Sequence, residues 1–231
     1  MAQGVAITLG ISVLGLYMRF TGTYERTFAD RILRWWSRSL LKSPGVRVHV
    51  SNPHNTTVIP GTPCIIMSNH RSHYDIPLIF TSLPGSIRML TKKELFKVPI
   101  WGRGLKAAEF LSIDRHDHAQ AIKDLEYAKE QMKSGIVLWI APEGTRSRTG
   151  ALGEFKKGAF VLARDLALPI LPVSISGTRK ILPPKTLDLF PGRATLRIHA
   201  PVDTGAYGEN SVDELIRDVR EVIRKGLEEP L

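Results

Sequence analysis

The chain has 231 residues, 43% of them hydrophobic, which is enough for one substantial core, and it carries neither an internal repeat nor a low-complexity tract. Its single cysteine, Cys64, excludes an internal disulfide and sits in an apolar run as a small core residue. A net charge of +10 and an isoelectric point near 9.9 favour a polyanionic neighbour: nucleic acid, an anionic membrane or a phosphorylated small molecule.

The first 42 residues read as a membrane-associated two-helix segment. Val5 to Met18 is an uncharged apolar stretch of 14 residues, against the roughly 20 that a spanning helix needs. A secretory signal fits poorly, because no basic residue precedes the stretch and no small-x-small site follows it. After a hinge at Thr21-Gly22-Thr23, the segment Tyr24 to Leu41 sets Phe28, Ala29, Ile32, Leu33, Trp35, Trp36 and Leu40 on one arc. Arg26, Arg31, Arg34 and Arg38 fall on the other. A basic amphipathic helix of this kind suits an interface, with both tryptophans at headgroup level and the arginines on lipid phosphates. The basic flank at Arg19 and Arg26 places the segment on the cytoplasmic face, whether it spans or only dips in.

From residue 43 to 231 the pattern is that of an α/β domain. Val46 to Val50 alternates as a half-exposed strand, and Cys64–Met67, Phe110–Ile113, Ile136–Ile140 and Ile170–Ile175 read as buried strands. Helices are predicted over Ala119–Met132 and Ser211–Leu227, the latter opened by Ser211 with Glu214 three residues on. Strands alternating with helices predict a mixed, largely parallel sheet flanked by helices, with chemistry beyond the carboxyl ends of the strands.

Polar clusters follow three of the buried runs. After Met67 comes Ser68-Asn69-His70-Arg71-Ser72-His73-Tyr74-Asp75, after Ile113 comes Asp114-Arg115, and after Ile140 comes Ala141-Pro142-Glu143-Gly144-Thr145-Arg146. A carboxylate at Asp75 that takes the Nδ1 proton of His70 leaves Nε2 as a general base for a substrate hydroxyl. Arg115 and Arg146 offer guanidinium forks for a phosphate, and Gly144 allows close backbone approach. His73 completes no metal ligand set, and neither Ser68 nor Ser72 lies in a Gly-x-Ser-x-Gly elbow.

These blocks resemble the four-part signature of the glycerolipid acyltransferases, most closely the PlsC-type 1-acyl-sn-glycerol-3-phosphate acyltransferases. His70-x4-Asp75 is similar to the first block, Ile113-Asp114-Arg115 to the second, Pro142-Glu143-Gly144-Thr145-Arg146 to the third and Leu168-Pro169-Ile170-Leu171-Pro172-Val173 to the fourth. The resemblance implies that His70 is the base and Asp75 its orienter. It implies that the sn-2 hydroxyl of lysophosphatidate attacks an acyl thioester, acyl-CoA or acyl-carrier protein, with no cofactor, to give phosphatidic acid. Arg115 and Arg146 would then bind the acceptor phosphate, Glu143, Gly144 and Thr145 would shape that pocket, Lys156 would assist, and the fourth block would line or brace the acyl pocket. Glu109 and Ser112 stand where the family usually has a glycine and a bulky apolar residue, which bears on the acceptor pocket.

Rival readings are another lysolipid acceptor, a His/Asp thioesterase-like hydrolase acting on water, and a basic membrane-binding or nucleic-acid-binding protein. Nucleic acid is disfavoured because no recognised motif is present and the aromatics gather near the N-terminus, away from the basic patches. Lys92-Lys93 and Arg146-Ser147-Arg148 are either a basic rim facing the phosphates of a donor or ordinary exposed loops.

Overall fold

The computed structural model describes residues 2–57, 59, 62–113, 117–208 and 211–228. Two helices open the chain, α1 (Ala2–Phe20) and α2 (Arg26–Lys42). There follow β1 (Val46–Ser51), β2 (Ile65–Ser68), α3 (Asp75–Ser82), β3 (Ser86–Lys92), α4 (Trp101–Ala107), β4 (Leu111–Ile113), α5 (His118–Lys133) and β5 (Ile136–Ile140). The chain continues through α6 (Gly158–Asp165), β6 (Ile170–Ser176), α7 (Thr178–Ile181), β7 (Gly192–Ile198) and α8 (Val212–Glu228).

Among the described residues seven strands form one sheet in the order β1-β7-β6-β2-β5-β3-β4. All neighbours are parallel except β6 and β7, so β1 and β7 run against the rest. The central strands are continuous apolar runs because both faces are covered. Ile66, Val137, Trp139 and Val173 face α2, α3, α4 and α7. Ile65, Met67, Leu138 and Ile170 face α5, α6 and α8.

The mixed, largely parallel sheet matches the sequence expectation, and β3 and β7 are additions to it. β3 escapes a hydropathy reading because Arg88 sits in its middle, fully buried, donating to Asp30 Oδ1 at 2.7 Å and lying 3.5 Å from Glu109 Oε2. β7 alternates Arg193, Thr195 and Arg197 with Ala194, Leu196 and Ile198, a period of two that marks a strand with one apolar face.

The strand order places the site. From β2 the chain crosses β5 through α3 to reach β3, and from β5 it crosses β2 through α6 to reach β6, with α3 and α6 on opposite faces. The two crossovers diverge at the β2/β5 boundary, and such a switch point opens a crevice beyond the strand ends.

α1 and α2 do not stand apart from this domain. Leu33 and Leu41 of α2 belong to the main core, and α1 packs on α4, where Gly104 lies so close to Ser12 that a Cβ would sit 2.5 Å from the serine Cβ. The single apolar arc predicted for α2 divides: Leu33, Ser37 and Leu41 are buried, Trp35 is 53% exposed, and the Trp36 indole donates to Thr8 Oγ1 at 2.9 Å. Two of the four arginines are likewise held by the protein. Arg34 donates to the Gly85 carbonyl at 3.0 Å, and Arg26 forms a two-pronged ion pair with Glu109.

Candidate active site

The loop after β2 carries the expected base, His70. His70 Nδ1 lies 2.8 Å from Asp75 Oδ2, and the same oxygen accepts the main-chain N–H groups of Arg71 at 2.7 Å and Ser72 at 2.9 Å. Asp75 is fully buried in the first turn of α3, where the helix dipole favours a carboxylate. An ionised carboxylate only accepts, so Nδ1 carries the imidazole proton and Nε2 is left as the basic nitrogen. The His70 ring, 17% exposed, meets Trp139 edge-on at 6.3 Å.

The loop is braced from two neighbouring strands, β6 and β5. Asn69, fully buried, donates to the Ile175 carbonyl at 2.9 Å and accepts from the Ile175 N–H at 2.8 Å, tying the end of β2 to β6. The Trp139 indole of β5 donates to Ser68 Oγ at 3.0 Å. Neither Asn69 nor Trp139 is distinguished as a bracing residue by sequence alone, because their partners are fixed only by strand order.

The β5–α6 loop completes the rim. Glu143, expected among the substrate-binding residues, turns inward: it is 7% exposed, Oε1 accepts the His70 N–H at 2.8 Å and Oε2 accepts the Gly153 N–H at 2.9 Å. With both oxygens holding main chain, its direct task is to fix the backbone of the base. The Ser147 N–H donates to the His70 carbonyl at 2.8 Å, so the two loops are joined twice. Gly144 adopts φ +71°, a left-handed conformation that glycine tolerates, and a Cβ there would stand 3.1 Å from Lys156 Cε. Thr145, Arg146 and Lys156 are exposed around it. Asp114 and Arg115 lie outside the described residues.

His70, Gly144, Thr145, Arg146 and Lys156 stand at one cleft of about 1210 Å³ whose wall is mainly apolar and is built largely from α1, α2, α3 and α4. The volume exceeds the roughly 300–1,000 Å³ typical of small-ligand pockets. His73 also faces this cleft; desolvation by the walls, then the charges of Arg146 and His70, push its pKa down to about 4. It is therefore neutral where His70 works as a base. Burial raises the Cys64 thiol to about 11, which leaves it inert as a nucleophile. The fourth block does not line the cleft: Ile170 to Val173 are buried in β6, and the Pro169 carbonyl accepts the Ile65 N–H at 3.1 Å, so this segment braces β2.

Glu109, read from sequence as bearing on the acceptor pocket, points elsewhere. Burial alone would raise its pKa, but the hydrogen bonds from Arg26 and the charges of Arg88 and Arg19 hold the carboxyl below its ordinary value. Its φ of +63° explains why a glycine suits this position.

A His/Asp pair on the rim of a mixed α/β sheet opens onto an apolar cleft with cations at its mouth. The acyltransferase family model matches residues 47–176. A chloroplastic 1-acyl-sn-glycerol-3-phosphate acyltransferase of Brassica napus is 31% identical over 207 residues, 88% of this chain and 57% of that protein. The Saccharomyces cerevisiae 1-acyl-sn-glycerol-3-phosphate acyltransferase is 34% identical over 170 residues, 72% of this chain and 56% of that protein. The crystal structure of the PlsC 1-acyl-sn-glycerophosphate acyltransferase from Thermotoga maritima superimposes with a TM-score of 0.78 at 26% identity, covering 98% of this chain and 95% of that one. The chain belongs to the acyltransferase family. It spans 57% of the length of the Brassica relative.

Proposed function

We propose that this protein transfers a fatty acyl group from an acyl thioester, acyl-CoA or acyl-carrier protein, to the sn-2 hydroxyl of 1-acyl-sn-glycerol-3-phosphate, giving phosphatidic acid. The observation that carries the proposal is the His70 Nδ1 to Asp75 Oδ2 bond of 2.8 Å at the mouth of the apolar cleft. His70 Nε2 takes the hydroxyl proton as the oxygen attacks the thioester carbonyl; the tetrahedral centre collapses, the C–S bond breaks, and the proton passes from His70 to the leaving thiolate. Asp75 supports the imidazolium formed between the two transfers. No covalent acyl-enzyme and no cofactor is required.

Arg146 and Lys156 hold the acceptor phosphate, with Arg115 as a further candidate, while Gly144 and Thr145 shape the loop between them. The cleft takes hydrocarbon chain. Lipid substrates call for an interface, and α1 supplies one: Val5, Leu9, Val13, Tyr17 and Phe20 form an exposed apolar stripe, 92% exposed at Phe20, with Trp35 outward on α2. No helix among the described residues is long and apolar enough to cross a membrane. On this proposal the two-helix segment 1–42 associates with the cytoplasmic face of the bilayer through that stripe, with Arg31 and Arg38, both exposed, available to anionic headgroups.

The test is product identification by mass spectrometry across a panel of lysolipids with both thioester donors. Phosphatidic acid formed only when lysophosphatidate and a thioester are both present supports the reading. Acylation of a different lysolipid in preference would change the acceptor, and release of free fatty acid without any acceptor would replace the transferase with a hydrolase.

A further inference from the structure

Two arginines on the rim beside His70 have a guanidinium Nε without a hydrogen-bond partner among the described residues. Arg71 follows His70 directly, and its main chain is fixed by the 2.7 Å bond to Asp75 Oδ2, while its guanidinium Nε is buried with no hydrogen-bond partner among the described residues. Arg179, at the start of α7, donates from Nη2 to the Arg148 carbonyl at 2.9 Å, and its Nε is likewise buried and unpartnered.

The elements that carry them form one rim. Ser147 is bonded to the His70 carbonyl, Arg148 is bonded to Arg179, and Ser72 Oγ donates to the Leu182 carbonyl at 3.2 Å at the end of α7. Gly150, at φ +92°, leaves room there: a Cβ would stand 3.4 Å from Arg179 Nη1. The acids within electrostatic range of Arg71 are Glu143 and Asp75. Both oxygens of Glu143 and one of Asp75 already hold N–H donors. Burial lowers the Arg71 pKa; Glu143 and Asp75 oppose that shift, and the neighbouring charge of Arg179 adds to it.

Neither arginine lines the apolar cleft, whereas Arg146 and Lys156 do. His70 is thus flanked by two separate sets of cations. The proposed reaction has two phosphate-bearing reactants, the lysolipid and a phosphopantetheine thioester. We propose that Arg71 and Arg179 form a second anion subsite, which holds a phosphate of the phosphopantetheine-type acyl donor while Arg146 and Lys156 take that of the acceptor. The inference rests on the acyl-transfer reading above. The shared chemistry is a phosphate ester on the thioester's carrier, whether coenzyme A or the prosthetic arm of a carrier protein.

The test uses the full chain and the variants Arg71→Gln, Arg179→Gln and the double variant, each checked for an unchanged unfolding temperature. Steady-state kinetics compare three donors with one acyl chain: acyl-CoA, acyl-carrier protein and acyl-pantetheine, which lacks phosphate. The KM for a phosphorylated donor is expected to rise about tenfold per lost guanidinium fork. The KM for acyl-pantetheine and for lysophosphatidate should stay at the wild-type value. A rise with both phosphorylated donors assigns the subsite to the phosphopantetheine phosphate; a rise with acyl-CoA alone assigns it to the nucleotide phosphates. An unchanged donor KM, an equal rise with acyl-pantetheine, or a rise for lysophosphatidate instead would overturn the proposal. Calorimetric titration with coenzyme A reads the subsite without turnover. Equal affinity in wild type and double variant would refute it even if the protein proved not to make phosphatidic acid.

Discussion

Replacing Asp75 with asparagine separates the base from the fold that carries it. In the transition state the His70 ring becomes cationic 2.8 Å from a fully buried carboxylate. At that distance and an effective dielectric near 20, the charge pair is worth about 6 kcal/mol, or roughly four powers of ten in rate. An asparagine whose amide oxygen takes the place of Oδ2 still accepts from Nδ1 and from the Arg71 and Ser72 N–H groups, but it carries no charge to stabilise the imidazolium. We expect kcat for phosphatidic acid formation to fall by about 10³ to 10⁴ with the KM for both substrates within a few-fold. The assay is radiolabelled acyl transfer to lysophosphatidate in mixed micelles, beside thermal unfolding to confirm that the variant is folded. A folded variant losing less than about tenfold in kcat would refute the claim that the buried carboxylate stabilises the imidazolium.

Three further outcomes follow from the structure. Glu143→Gln presents an NH2 to one of the two main-chain donors that the carboxylate now holds, at a cost of roughly 1.5–3 kcal/mol. Because the lost bond fixes His70, kcat should drop tenfold or more while the KM for lysophosphatidate holds; a change in that KM alone would show instead that Glu143 touches substrate. Glu109→Gly relieves a positive φ worth about 1 kcal/mol but strips Arg88, fully exposed to no solvent, of one of its two carboxylates, which costs about 3–5 kcal/mol. Chemical denaturation should therefore report net destabilisation by about 2–4 kcal/mol, and a more stable variant would contradict the role given to this ion-pair network. His199, buried and within 2.8 Å of Ser174 Oγ, has its pKa pushed down to about 4 by burial and then by Arg197 and His54. Between about pH 6.5 and 4 the unfolded chain binds a proton there that the native state does not, so stability falls as pH falls, by up to about 1.4 kcal/mol per unit. His199→Gln should flatten the stability profile in that window, and an unchanged slope would show that another group sets it.

The sequence made the central strands legible because β2, β5 and β6 are buried on both faces and so are nearly unbroken apolar runs. The five-residue spacing of His70 and Asp75 was also legible, since a tight loop entering α3 brings the two within hydrogen-bond distance. Other features were not legible because they depend on partners far along the chain. β3 contains an arginine whose burial is tolerable only beside Asp30 and Glu109. The inward turn of Glu143 is decided by where the His70 and Gly153 N–H groups lie. The tryptophans of α2 face different ways because α1 and the core divide that helix between them.

The sequence by itself determined the mixed α/β class, the His70/Asp75 pairing and the candidate phosphate cations of the third block, all written in local runs and short spacings. Only the tertiary structure decided that β2 and β5 are neighbours, that α1 to α4 enclose the apolar cleft beside His70, and that Arg71 and Arg179 share a rim. The division follows from range. Periodicity and capping act over a few residues, whereas a cleft wall and a pair of neighbouring cations exist only once strand order has brought remote segments together.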